Sequence, residues 1–229
     1  RDMTREQEKM AIALVEAVRD AVGPDTEIMI EVHGRLSVYS AIKMARELER
    51  FRPYWYEEPV DMENVAAMAQ VARHCNLPIA TGERLFTKYC FADLLEANAV
   101  QVLQPDIIHV GGILEIKKVA AMADAKYIPV APHNPNGPVA TAATLHVDAG
   151  TSNFLIQEAF DDFDPPWRTE VVTDAPRVVG GFYAFPKGPG LGIRLNKDAI
   201  RAHPPREKPY FSLWQEKWEE GFVKGKKTT

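Results

Sequence analysis

The strongest constraint on this chain is a rhythm. Six chemically capable side chains, Glu31, Glu57, Glu83, Asp106, His133 and Glu158, follow one another at steps of 26, 26, 23, 27 and 25 residues. Each ends or follows a short apolar run, at residues 28–30, 54–56, 78–80, 100–103, 130–131 and 154–156. One strand, one helix and two loops need about that many residues, since a complete eight-unit β/α barrel takes roughly 250. Parallel strands that each end in a polar residue aim those residues at one shared mouth. The rhythm therefore predicts an α/β fold with a single site assembled from many strand ends.

Local signals agree with that period. Thr4-Arg5-Glu6-Gln7 has the form of a capping box. Ile12, Val15, Val18 and Val22 then recur at three- and four-residue steps, an amphipathic helix that Gly23-Pro24 ends. Ser37 is placed to cap a second helix with Ile42, Ala45 and Leu48 on one face. Further helices are expected at 65–75, 91–97, 113–126 and 139–149. The intervening strands are apolar throughout rather than alternating, as in a parallel sheet buried on both faces. After about Phe160, Pro165-Pro166, Gly180-Gly181, Gly188-Pro189-Gly190 and Pro204-Pro205 break any long period. The expected division is a partial β/α barrel over 1–160 and an irregular segment over 161–229 that packs back on the body. That segment is expected to end in a helix at 213–222 and a solvated tail at 224–227.

Composition excludes some classes of function. A net charge of −5 argues against a nucleic-acid binder. No apolar run approaches the roughly 20 residues that span a bilayer. The first residues, Arg1 to Arg5, lack the apolar core of a signal peptide, so a cytoplasmic location is expected. Cys75 and Cys90 fit neither a disulfide framework nor a zinc motif and read as ordinary reduced thiols. If the substrate is an anion, a negatively charged chain needs a strong positive centre in its site.

The carboxylates suggest that centre. Glu31, Glu57 and Glu83 at three consecutive strand ends bring negative charges together, which is costly in a low-dielectric cleft unless a cation joins them. All-oxygen ligation suits Mg²⁺ or Mn²⁺. The competing reading pairs each Glu with a neighbouring arginine such as Arg35 or Arg84. Asp106 and His133 close adjacent strands, so the carboxylate can bond the far imidazole nitrogen, fix its tautomer and raise its basicity. His33 lies two residues past Glu31 and faces the same side, as an acid beside a ligand. Glu158, if protonated, can donate to a developing enolate oxygen, or else it is a salt-bridged Glu. His109 is as easily a structural loop residue as a ligand contact, and His74, His146 and His203 fall off the rhythm.

Glu57-Glu58-Pro59, Thr81-Gly82-Glu83-Arg84, Gln104-Pro105-Asp106, His109-Val110-Gly111-Gly112-Ile113 and Ala131-Pro132-His133-Asn134 resemble the mandelate racemase branch of the enolase superfamily, above all its galactonate and gluconate dehydratases. The stretch from Gly188 to Gly192 is similar to that family's C-terminal segment. The resemblance implies a modified TIM barrel closed by an α+β capping domain, with Mg²⁺ on Glu31, Glu57 and Glu83. It implies that His133, supported by Asp106, removes the proton beside a sugar-acid carboxylate. The enediolate is then held by the metal and Glu158, and His33 protonates the departing 3-hydroxyl to give a 2-keto-3-deoxy acid. His33 favours this dehydratase chemistry over a racemase. Two departures stand out. The family usually has Asp where this chain has Glu31. The first strand here corresponds to the family's third, so about six of eight strands are present and the capping domain is not. The chain is accordingly expected to work beside an N-terminal portion of the same protein carried as a separate or disconnected piece, in an assembly that, like the family's, is a homo-oligomer. A hydroxy-acid racemase or epimerase using His133 with an unseen lysine stays open, as does a non-catalytic barrel subunit.

Overall fold

Strands of only two or three residues carry the sheet. In the computed structural model, which describes residues 1–160 and 165–204, strands β1 (Met29–Glu31), β2 (Trp55–Glu57), β3 (Ile79–Thr81) and β4 (Val102–Leu103) lie parallel in chain order. The register sets Glu31 opposite Glu57, Glu57 opposite Ala80, and Thr81 opposite Leu103. The expected fifth and sixth strands shrink to single parallel bridges, Leu103 to Val130 and Val130 to Phe154. Pro129 and Pro132 bracket Val130-Ala131 and have no N–H to give, which stops the ladder after two bonds to each neighbour. The backbone series still runs on, with Ala131 N donating to the Leu103 carbonyl at 2.8 Å and Leu155 N to that of Val130 at 2.9 Å.

The helices form where capping and periodicity direct them. α1 (Arg5–Val22) opens on the reciprocal Thr4–Gln7 box. Ser37 caps α2 (Val38–Leu48) by accepting from Ser40 N. Asn64 caps α3 (Val65–His74). α4 (Thr87–Glu96) starts four residues before the expected position, because its first turn carries the exposed Tyr89 and gives no apolar signal. A single turn, α5 (Ile107–Val110), was not foreseen and is capped by Asp106 itself. α6 (Ile113–Asp124) and α7 (Pro138–Ala149) complete the helical layer.

Alternate strand residues feed two cores. Tyr56, Ile79 and Leu103 pack outward against the helices in the larger cluster. Trp55, Ala80, Val102 and Ala131, with Leu155 against them, form a small inner one, in which alanines leave the room that the indole fills. β1 is different: Met29 is 41 % exposed and the strand pairs on one side.

Beyond residue 165 the chain is less irregular than its Pro and Gly content suggests. A 3-10 turn (Pro166–Val171) leads to β5 (Val172–Thr173), and β6 (Val178–Val179) turns on Gly180-Gly181 into β7 (Phe182–Tyr183). β8 (Arg194–Leu195) pairs antiparallel with β5, and α8 (Lys197–Ala202) follows. Arg168 Nη2 donates to the Pro135 carbonyl at 3.1 Å, and Phe185 packs edge-on against His146. This segment therefore touches the loop that carries His133. The expected helix at 213–222 and the tail at 224–227 lie outside the described residues.

Candidate active site

All seven side chains singled out from sequence lie at one end of the sheet. Glu31 and Glu57 are the last residues of β1 and β2 and sit opposite each other. Glu83 stands two residues beyond β3, after Gly82, whose φ of +141° suits glycine and whose Cβ would lie 2.9 Å from the Phe91 ring. Asp106 is carried at the start of α5, and His133 and Glu158 follow the two bridge segments.

The Glu83 carboxylate is the hub. Its Oε1 lies 3.5 Å from His33 Nδ1 and its Oε2 lies 3.3 Å from His133 Nε2, one histidine on each oxygen. His33 Nδ1 is also 3.7 Å from Glu31, and the His33 backbone N–H donates to the same Glu31 oxygen. His133 Nε2 reaches to 4.0 Å from Glu158, while its Nδ1 holds Asp106 Oδ2 at 2.8 Å. The Asp106 carboxylate is fully engaged: Oδ1 accepts from the N–H groups of Ile108 and His109, and Oδ2 accepts from His133 and from the Asn136 amide at 2.7 Å. Glu158 accepts from Asn134 N at 2.6 Å.

Among the described residues, Glu31, His33 and Glu83 bring ligand atoms within 4.8 Å of one another. Glu57, expected in that set, stands next to it. Its Oε2 takes the Trp55 indole N–H at 2.8 Å, and it shares a hydrogen bond with Glu31. The arginine pairing weighed from sequence takes a different form. Arg84 meets Glu58 at 2.6 Å and only approaches Glu83, at 3.8 Å.

Electrostatics separate the groups by task. Crowding by protein atoms around Glu31, whose side chain is still 41 % exposed, and the charges of Glu57 and Glu83 raise its carboxyl well above the usual carboxylate range. A divalent ion would relieve that repulsion, and the donor set, mostly carboxylate oxygen, suits Mg²⁺ or Mn²⁺. Burial pushes Glu58 up to about 8 against the opposing pull of Arg84. Burial alone would lower His133, but the Asp106 hydrogen bond and the charges of Glu83 and Glu158 outweigh it and raise this imidazole. Burial, with Arg84 and Arg35 nearby, lowers His33 in spite of Glu83. Burial raises Glu158. Two histidines on one carboxylate are thus displaced in opposite directions.

Sequence reasoning missed Glu58, Trp55 and Asn136. Each adjoins a residue that was found, at one, two or three positions' distance, and that adjacency was the available signal. His109, left undecided, turns its Nδ1 to the Glu83 carbonyl at 2.8 Å and supports backbone. Cys75 and Cys90 are free thiols. No helix among the described residues is long and apolar enough to cross a membrane.

The sequence and fold of this chain are similar to those of known proteins. Residues 2–199 match the family described as Enolase C-terminal domain-like. The chain is 40 % identical over 195 residues to a D-galactonate dehydratase of Ralstonia pickettii, covering 83 % of this chain and 51 % of the relative. It is 40 % identical over 189 residues to a D-gluconate/D-galactonate dehydratase of Picrophilus torridus, covering 82 % and 48 %. The structure of a mandelate racemase/muconate lactonizing enzyme-like protein from Rubrobacter xylanophilus superposes with a TM-score of 0.85 at 37 % identity, covering 92 % of this chain and 54 % of that one. The chain spans about half the length of the curated relatives it matches.

Proposed function

Since the chain belongs to the Enolase C-terminal domain-like family, we propose that the complete protein is a Mg²⁺-dependent dehydratase that converts a sugar acid of the galactonate or gluconate type to its 2-keto-3-deoxy acid. The observation that carries this reading is the pair of histidines on the two oxygens of Glu83, at 3.5 and 3.3 Å. Glu31, Glu57 and Glu83 would hold the cation, with Mn²⁺ an alternative occupant. When bound, it supplies positive charge for a substrate carboxylate into which electrons flow.

The chain's own residues then divide the work. His133 Nε2 removes the proton from C2, and Asp106 on its Nδ1 fixes the tautomer and stabilises the imidazolium that forms. The C–H electron pair moves into the carboxylate to give an enediolate. Glu158, whose proton affinity burial raises, donates to its oxygen when protonated. His33, whose lowered proton affinity makes it the stronger acid, gives its proton to the 3-hydroxyl as the C3–O bond breaks and water leaves. The resulting enol gives up its 2-hydroxyl proton and takes one proton at C3, with no net change, and becomes the 2-keto-3-deoxy product.

The rest of the barrel is proposed to come from an N-terminal portion of the same protein, in a cytoplasmic homo-oligomer. Residues 1–160 would supply the barrel part and 161–229 the segment that packs on it. The test is a screen of aldonic and aldaric acids for keto-acid formation by the complete protein, with C2 proton exchange followed in deuterated water. His133→Asn is expected to abolish both exchange and product. His33→Asn is expected to keep exchange and lose product. Stereochemical scrambling without loss of water would instead support a racemase, and the absence of exchange with every acid would overturn the catalytic reading.

A further inference from the structure

Building on the metal-site reading above, we propose that Glu58 and Arg84 are a positioning pair that holds the ends of β1, β2 and β3 at the spacing their carboxylates need to share one cation. Glu58 is fully buried. Its carboxylate takes Arg84 Nη2 at 2.6 Å and the Thr81 hydroxyl at 3.3 Å, so both oxygens are occupied and neither is offered as a ligand. Its backbone N–H donates to the Ala80 carbonyl at 3.0 Å, and its carbonyl accepts from Gly34 N at 2.7 Å. One residue therefore touches the segments that carry or follow all three clustered carboxylates: Gly34 after Glu31, its own position after Glu57, and Thr81 and Arg84 around Glu83.

The local backbone is shaped to this end. Glu58 sits at φ +40°, in the left-handed region that a side-chain-bearing residue keeps only where its surroundings impose it. Gly34, at φ +69°, leaves space that Arg84 uses, since a Cβ there would lie 2.7 Å from Arg84 Nη2. The same guanidinium reaches to 3.8 Å from Glu83 Oε1, so its planar fork spans Glu58 and the side chain that both histidines address. Before a cation arrives, the clustered carboxylates repel one another. A fixed pair, buried at its Glu58 end and half-buried at Arg84, crosses all three strand ends and opposes their spreading. Residues that orient ligands from behind in this way typically change metal affinity about 10- to 100-fold when replaced.

The test measures Mn²⁺ binding without turnover, from the free-ion electron paramagnetic resonance signal, in the complete protein and in Glu58→Gln, Arg84→Met, the double variant and Arg84→Lys. Thermal unfolding is recorded for each. We expect every variant to bind Mn²⁺ at least about tenfold more weakly. The double variant should regain most of the thermal stability lost by the single ones, because no buried charge is left unpaired, yet stay weak for the metal. Arg84→Lys keeps the charge and so the fold, and should still lose affinity because it lacks the fork. Wild-type affinity in the double variant or in Arg84→Lys overturns the positioning role, as does affinity that simply follows thermal stability across the set. A wild-type protein that binds no Mn²⁺ overturns the metal reading instead.

Discussion

At the scale of single residues, the side chains at the mouth owe their chemistry to the partners they meet there. His133 is raised against burial chiefly by the Asp106 hydrogen bond. Asp106→Asn removes that charge, so the base should lose its proton more readily. The acid limb of kcat/KM, which reports the base becoming deprotonated, should move to lower pH, and the maximal rate should drop by roughly 100-fold or more as the tautomer is lost. The pH–rate profile of the purified variant checks both, and an unmoved limb would deny His133 the role of base. Trp55 offers a parallel case. Its indole N–H holds Glu57 at 2.8 Å while the ring fills the inner core. Trp55→Phe keeps the filling and deletes the donor, so stability should fall by about 1 kcal/mol and Mn²⁺ affinity by about tenfold. Calorimetry and metal titration separate the two effects. Only some of this was legible in the sequence. Six of the seven side chains share a phase, with His33 two residues past the first, and phase is visible in a string of residues. Trp55, two residues before Glu57 on one strand, shares its face by the same rule; the Asn136 amide on Asp106 and the Glu58–Arg84 pair depend on which way a side chain turns once strands are side by side, and no spacing encodes that.

At the scale of elements, periodicity placed what packing depends on and missed what backbone chemistry decides. β1 to β4 stand within a residue or two of their apolar runs, because a strand buried on both faces must be apolar to be there at all. The segments at 130–131 and 154–156 have the same composition but make only bridges, since Pro129 and Pro132 remove donors that an apolar run does not reveal. α5 was invisible because a four-residue turn has no period, although the Asp that caps it was already in view. α7 carries a feature with a measurable consequence. Asp148 is 8 % exposed, and neither carboxylate oxygen has a hydrogen-bond partner among the described residues. Burial pushes its carboxyl up to about 8. An unfolded Asp ionises near 3.9. Between those values the folded chain keeps a proton that the unfolded chain releases. The stability tied to this group is therefore complete below about pH 4 and is lost as pH rises towards about 8. Asp148→Asn cannot ionise. Relative to the parent protein its stability should rise by a few kcal/mol between pH 4 and pH 8, at about 1.4 kcal/mol per unit of the difference. Thermal unfolding at the two pH values gives the answer, and a difference independent of pH would show that Asp148 is charged in the folded chain.

At the scale of the whole molecule, the sheet that builds the site also leaves two open sides among the described residues. β1 pairs on one side only, and beside it runs a groove of about 680 Å³ lined by Leu14, Val15, Ile30, Val32, Leu36 and Tyr56. On α1, Met10, Leu14, Val18 and Val22 form a line at four-residue steps and are 62, 60, 47 and 41 % exposed. At the far end of the series Phe154 and Ile156 are 36 and 44 % exposed. A flat strand edge flanked by apolar surface is a template for pairing with another chain, and native proteins cover such edges. The resemblance to the family's eight-stranded barrel implies the same gap, because about six strands of eight leave one opening between the first and the last. In the proposed assembly both exposed flanks would belong to one interface, filled by the N-terminal portion. Residues 1–229 produced alone should bind a hydrophobic dye, aggregate at micromolar concentration and release no keto acid. Mixing with the N-terminal portion of the same protein should quench the dye and restore turnover, since Glu31 sits on the strand whose open edge that portion would pair. Mass and N-terminal sequence of every polypeptide in the active sample identify what fills the gap. Soluble, active material containing this chain and nothing else would mean that the sheet closes on itself, and the open edge of β1 would have to be explained without a second piece.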